Sequence, residues 1–333
     1  MIALLMAFAF SADVHVVRDG ETIEAIAAQL GDPALAAVVR GENGLAAGAQ
    51  VPPGTVLTLP PIAGHVDQEA IVTAVSGSGE VTTPSGTSPL FVQMTLPPGS
   101  LACTNADGFA TLRLATDGVN GHDDLILLPS TCIRIVAVTN RPSGRSSAVE
   151  VTQGSVEIRA IDGGGGDVTV LSEAGVTTGD SGGFRVALED AGSARTEAIG
   201  GDVAVMGSGA EVAVANGQGS RTIPGQAPSP PVDLLPPGNP TLPTAGGTLR
   251  TPDFEWTGVD GALGYRLQVS IAPDFSDIVY ATESPRPELR PDRLFLPYRV
   301  SGLWWRVTSF DLTGFEGPAS TPRRVAMPAG IGQ

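Results

Sequence analysis

Between Val66 and Gly225 no stretch carries helical periodicity, and short Val-, Ile- and Leu-rich segments are interrupted every few residues by Gly, Ser, Asp and Asn. Leu112-Arg113-Leu114, Leu125 to Leu128, Ile133-Arg134-Ile135, Val149-Glu150-Val151 and Val156-Glu157-Ile158 are all too short for helices and are bounded by turn formers. Such segments read as strands. Strands of this kind bury their apolar faces by closing as a sandwich or roll, or by stacking as solenoid coils, and periodicity does not choose among these. The 43 Gly and 28 Pro, against only 16% charged residues, fit the same picture of many turns. The expected fold class is mostly β and multidomain.

Charge narrows function. All 19 basic residues are Arg, which removes phosphate-loop nucleotide hydrolysis, pyridoxal Schiff bases and protein-kinase chemistry, each of which needs a lysine. A net charge of -16 argues against nucleic acid, whose affinity for proteins comes largely from cations displacing counterions. The acids are unevenly spread. Residues 1–249 hold 25 Asp and Glu against 10 Arg, whereas residues 250–333 hold 10 against 9. All three Trp (Trp256, Trp304, Trp305) and all three Tyr (Tyr265, Tyr280, Tyr298) lie beyond residue 250, so a boundary near 245 is expected.

Residues 1–12 form an uncharged apolar run ending in small residues, which reads as the end of a secretory signal peptide. Export to the periplasm or cell envelope is therefore expected. A buried first strand is the competing reading. No later stretch reaches the roughly 18 apolar residues of a membrane helix, so no membrane span is expected. Cys103 and Cys132 are the only cysteines; one disulfide or two separate buried thiols fit the count, and a disulfide is expected in an exported chain. Two cysteines are too few for a zinc site, so neither metal nor cofactor is expected.

Residues 13–62 run strand, helix, helix, strand. Val14-His15-Val16-Val17 alternates; Ile23, Ile26, Ala27 and Leu30 share a helical face that Asp19 and Thr22 can cap; Ala34 to Arg40 is a second helix; Val56 to Pro60 closes. That order, with Gly-Glu-Thr-Ile opening the first helix, Asn43 ending the second and Pro-Gly-Thr-Val-Leu-Thr-Leu-Pro at the close, resembles a LysM domain. The resemblance implies binding of N-acetylglucosamine-containing glycan, in bacteria peptidoglycan, between two loops. Its glycan-binding residues here would be Gly20, Glu21, Thr22 and Ile23 on one side, and Asn43, Gly44, Leu45 and Gln50 on the other. Read from the residues alone, Asn43 and Thr22 serve equally well as turn and cap.

Within residues 66–225, Leu96-Pro97-Pro98-Gly99-Ser100-Leu101-Ala102-Cys103-Thr104, then Asp124 to Thr131, then Val149 to Ile158, resemble a FecR domain. This implies a β-solenoid or roll, with weaker motifs continuing through Val168 to Val170, Gly179 to Val186 and Gly200 to Val205. It does not imply the signalling role of iron-uptake regulators, which carry a membrane helix ahead of the domain.

Residues 226–240 are proline-rich, with Pro230-Pro231 and Pro236-Pro237, and read as a stiff linker. Residues 241–328 follow. Phe-x-Trp, Tyr-x-Leu-x-Val, Trp-Trp-Arg-Val and Asp-Leu-Thr-Gly-Phe-Glu-Gly-Pro resemble a fibronectin type III or immunoglobulin-like sandwich. Alternation puts Leu303, Trp305 and Val307 inward and Trp304, Arg306 and Thr308 outward, where Trp304 either packs under loops or stacks on a sugar.

Catalytic residues are not expected. The one carboxylate-rich spot with a histidine is His122-Asp123-Asp124, whose neighbours point to opposite faces of a strand, and no nucleophile elbow, zincin or dinucleotide motif occurs. Gly163 to Gly166 lacks a following helix and reads as a turn. The expected function is thus a non-enzymatic envelope protein that binds peptidoglycan through residues 13–62. A regulatory or sensory protein, whose FecR-like domain docks on another envelope protein, is the alternative.

Overall fold

The computed structural model describes residues 13–60, 66–116, 121–141, 144–161, 166–180, 182–249, 251, 253–291 and 300–327. The apolar run 1–12 and Gly163 to Gly165 lie outside these. Among the described residues two α-helices and many short strands make the protein mostly β, arranged in several sheets.

In the N-terminal module, strand Val14–Val16 pairs antiparallel with Val56–Thr58, and helices Ile23–Gln29 and Leu35–Glu42 lie between them in sequence. Thr22 caps the first helix, its hydroxyl accepting from the Ala25 amide at 3.2 Å. Asp19 does not cap. It sits in a turn made with Gly20, whose positive φ of 72° favours glycine, and its amide points elsewhere. Period 2 splits the two-stranded sheet: Leu57 and Leu59 join Ile23, Ile26 and Val39 under the helices, while Val14, Val16 and Val56 face away. The second set is buried all the same. It rests on Ala137, Ala148, Val176 and Met206 of the central domain, so the module is docked through an apolar seam.

The central domain is two large sheets face to face. One has nine strands in the order Val232–Asp233, Gln218–Thr222, Ala194–Ala198, Gly183–Leu188, Ser155–Ile161, His122–Leu127, Phe109–Thr116, Ala70–Ser76, Thr95–Leu96. The other, of ten, is centred on the long hairpin Cys132–Arg141 with Gly144–Gln153. The chain passes back and forth, giving each sheet one strand or one hairpin in turn, which is the course of a roll. The inward residues of both sheets, among them Leu112, Leu125, Ile133, Val149, Ile158, Val170, Phe184 and Val205, form one core. Cys103 and Cys132 face each other across adjacent antiparallel strands and are joined as a disulfide, with Cα atoms 4.1 Å apart.

The proline-rich stretch is not a free linker. Val232–Asp233 is the edge strand of the nine-stranded sheet, Ser229 and Leu234 donate backbone hydrogen bonds to Arg221 and Gly217, and Pro240–Leu242 opens the C-terminal unit by pairing with Phe254–Trp256. The residues between the prolines keep their amides, and those amides are used for edge pairing, where proline is tolerated.

The C-terminal unit is a sandwich of a three-stranded sheet and a four-stranded sheet, the latter ordered Ile278–Ser284, Gly264–Ser270, Gly302–Phe310, Arg323–Ala326. Its core holds Leu267, Val269, Leu303, Val307 and Trp305, the last edge-to-face with Phe254 at 5.2 Å between centroids. Trp304, one residue away, points to the opposite face.

Trp305→Ala should cost about 3–5 kcal/mol in chemical denaturation of the full chain, and Trp304→Ala, partly buried outside this core, under about 2. The reverse order would mean that the Gly302–Phe310 strand is out of register by one residue.

Candidate functional site

The outward face of the four-stranded sheet is not solvated. It lies on the outward face of the nine-stranded sheet, and the seam between them is built of charge. Glu157, on strand Ser155–Ile161, is buried and receives Arg159 Nη2 at 2.6 Å, Arg306 Nη2 at 3.2 Å and Arg185 Nη2 at 3.3 Å. Glu316 receives Arg266 Nη1 at 2.5 Å, lies 3.6 Å from Arg185 Nη1, and accepts from the Thr308 hydroxyl at 2.5 Å. Arg306 also donates to Gln268 Oε1 at 2.6 Å and lies 4.3 Å from the centre of the Phe275 ring. Two pairs therefore cross the seam with opposite polarity: Glu157 of the central domain with Arg306, and Arg185 of the central domain with Glu316.

Apolar and backbone contacts flank the charges. Phe109, Ile126 and Leu128 of the central domain pack with Phe275, Ile278 and Trp304. Thr111 donates to the Ser276 carbonyl, Arg159 to the Asp274 carbonyl and Arg221 to the Thr313 carbonyl. Gly219 is required here, since a Cβ would stand 2.7 Å from the Phe315 ring. The outward face expected for Trp304, Arg306 and Thr308 is thus not a solvated one, because the alternating polar positions of both sheets face each other instead of water.

Burial raises the Glu157 carboxyl, but the charges of Arg159, Arg306 and Arg185 outweigh it and hold the group well below the usual range. For Glu316 burial is likewise outweighed, by Arg185, Arg266 and the Thr308 hydroxyl, and the net shift is downward. Glu197 differs. Burial dominates over Arg185 and Arg195 and leaves its carboxyl raised, with Oε2 unpartnered among the described residues. Burial lowers Arg306 to about 10 against the pull of Glu157.

In the N-terminal module the residues expected to bind glycan divide by role. Asn43 is spent on the fold: Nδ2 donates to the Val39 and Thr58 carbonyls at 2.7 and 2.8 Å, and Oδ1 accepts from the Thr58 amide at 2.8 Å. Ile23 is buried under the helices, Leu45 packs against the same core, and Thr22 is the cap. Glu21 binds His15 Nε2 at 2.8 Å and the Arg18 amide at 3.0 Å, and these bonds lower its carboxyl although burial opposes them. Gly20, Gly44 and Gln50 remain exposed. The first loop is tied to the central domain, the Asp19 amide donating to Glu211 Oε2 at 2.7 Å.

His122 and Asp123 do not converge. His122 Nε2 lies 3.3 Å from Asp124, two residues on, while Asp123 is buried on the other face with Arg145 Nη2 at 3.3 Å. Burial raises Asp123 despite that arginine. Among the described residues no group of His, Cys, Asp and Glu could hold a metal ion, and no helix is long and apolar enough to cross a membrane.

No family model and no curated protein matches the sequence. Among solved structures, a Parabacteroides distasonis protein described as an anti-sigma factor aligns at 12% identity and a TM-score of 0.25, over 49% of this chain and 59% of that one. The chicken CNTN1 FN1-FN3 domains align at 10% identity and a TM-score of 0.19, over 79% of this chain and 99% of that one. Scores this low do not show a shared fold.

The seam's response to pH follows from these directions. Glu157, with a depressed value when folded, stabilises fully above the ordinary carboxylate range, and this is lost as pH falls through its own lowered value. Glu197, with a raised value, stabilises below the ordinary range, and this is lost as pH rises through its raised value. Glu157→Gln should therefore cost about 3–5 kcal/mol at neutral pH, the deficit shrinking in acid. Glu197→Gln should raise the melting temperature at neutral pH and lose that advantage in acid. Melts of the three proteins across pH check both signs.

Proposed function

We propose that this protein is a non-enzymatic, glycan-binding scaffold of the bacterial cell envelope, exported and working outside the cytoplasm. The ligand in this reading is an N-acetylglucosamine-containing glycan such as peptidoglycan, held by the βααβ module. The observation that carries it is how the LysM-like motif is used. Asn43, Thr22 and Glu21 spend their polar groups on fixing two loops, and the second of these exposes only glycine, alanine and Gln50. A second loop held still by the Asn43 bonds, with little side chain between backbone and solvent, suits a sugar chain read through main-chain hydrogen bonds. The disulfide supports an oxidising compartment.

The two β units then serve as a rigid body that carries the module. The regulatory reading, with docking on another envelope protein, has its own support in Ile71, Phe91 and Val92. These three are exposed and adjacent at one edge of the nine-stranded sheet, the Gln93 amide binding the Val72 carbonyl and so holding the turn against the strand.

Removing the module outright would uncover Val176, Met206, Ala137 and Ala148, so the test uses substitutions in exposed loop positions. Full-length protein should sediment with purified peptidoglycan, and Ala46→Trp with Gln50→Ala should weaken that by roughly tenfold or more with the melting temperature unchanged. Equal sedimentation of the doubly substituted protein would contradict the reading.

A further inference from the structure

Residues 321–324, which lead into the strand Arg323–Ala326, line an open cleft of about 610 Å³ together with residues 239–240, residues 245–246 and Trp304. This volume is within the ordinary range for small-molecule sites. Trp304 and Arg324 are register partners on adjacent antiparallel strands, so both side chains leave the same face of the sheet as direct neighbours. Trp304 packs against the cluster of Phe109, Ile126, Leu128, Phe275 and Ile278, and the same residue lines the cleft. The ring is thus immobilised before any ligand arrives.

The charge is free as well as placed. Arg324 is exposed and its guanidinium makes neither hydrogen bond nor ion pair among the described residues, in a chain that commits most of its other described guanidiniums to carboxylates. Among the described residues no Asp or Glu lines the cleft, although the chain holds 35 of them. The walls are held in place. Arg323 donates to the Thr241 and Pro243 carbonyls at 3.0 and 3.4 Å, and the Asn239 backbone is bonded in both directions to Thr257 at 2.9 Å. That leaves the Asn239 amide side chain at the rim as a polar group able to donate and accept.

We propose that this cleft binds a sugar ring bearing a carboxylate. A ring with C–H bonds on one face and hydroxyls at its edge matches an aromatic surface beside an amide, and a planar guanidinium matches a carboxylate bidentately. A single free guanidinium among the described lining residues, with no helix N-terminus among them, suits one carboxylate better than a phosphate group. The site is separate from the βααβ module and stands whether or not that module binds glycan.

The test is tryptophan fluorescence of the full-length protein titrated with glucuronate, glucose and acetate. Trp256 and Trp305 are buried, so Trp304 is the indole in a position to report. Glucuronate should shift the emission with a dissociation constant in the millimolar range, and glucose and acetate should each bind at least roughly tenfold more weakly. Arg324→Ala removes no side-chain hydrogen bond or ion pair among the described residues and should weaken glucuronate by roughly tenfold, with Arg324→Lys between the two. The proposal is overturned if glucuronate produces no shift, if glucose or acetate matches it, or if Arg324→Ala binds as tightly as the parent. The Gln50→Ala protein, which adds no indole, should retain the glucuronate response, which separates this site from the module.

Discussion

Glu157 is a buried carboxylate surrounded by three guanidiniums, and the relation between the two β units depends on it. Desolvating one carboxylate and two arginines is costly, and the attraction among them offsets that only if every partner arrives. Arg159 and Arg185 come from the same sheet as Glu157, but Arg306 comes from the C-terminal sandwich. Arg185 in turn reaches Glu316 of the sandwich. Crossed pairs of opposite sign are satisfied in one relative placement of the sheets. Displacing one sheet over the other would part Glu157 from Arg306 and Arg185 from Glu316 together. The seam is therefore specified by charge, while the flanking cluster of Phe109, Ile126, Phe275 and Trp304 supplies apolar burial.

Much of this was legible locally and little of it globally. Short Val-rich runs between glycines read correctly as strands because period 2 and turn residues are local signals, and the alternation of Leu303, Trp305 and Val307 gave the inward face of their strand. The outward residues Glu157, Arg159, Trp304, Arg306 and Thr308 were equally visible. Their burial was not, because polar alternation looks the same whether the polar face meets water or another polar face. Pro230 to Pro240 misled for a related reason: proline content suggests a spacer, yet the intervening amides can still pair at a sheet edge. In the βααβ module the Asn43 and Thr22 side chains are used as turn and cap, roles the residues alone left level with ligand contact, while the burial of Ile23 and Leu45 in the module core depends on how the helices pack.

A body joined at two seams presents its surfaces in fixed relation. The N-terminal module leans on Val176 and Met206 through valines of its own sheet, and its first loop is tied to Glu211, so its exposed loop surface has a set orientation to the ten-stranded sheet. At the other end, the ion seam fixes the indole of Trp304 by packing the central domain behind it. Packing energetics and surface chemistry meet at that residue: the same contact that helps close the seam also holds the ring beside Arg324.

The most direct test of this account is a double-mutant cycle on Glu157 and Arg306 in the full-length chain, with Glu157→Ala, Arg306→Ala and the pair measured by chemical denaturation. If the buried cross-seam pair is real, the two losses should be strongly non-additive, with a coupling energy of about 1.5–3 kcal/mol. Losses that add to within about 0.5 kcal/mol would mean that the two side chains do not meet, and that the β units are not joined through this seam.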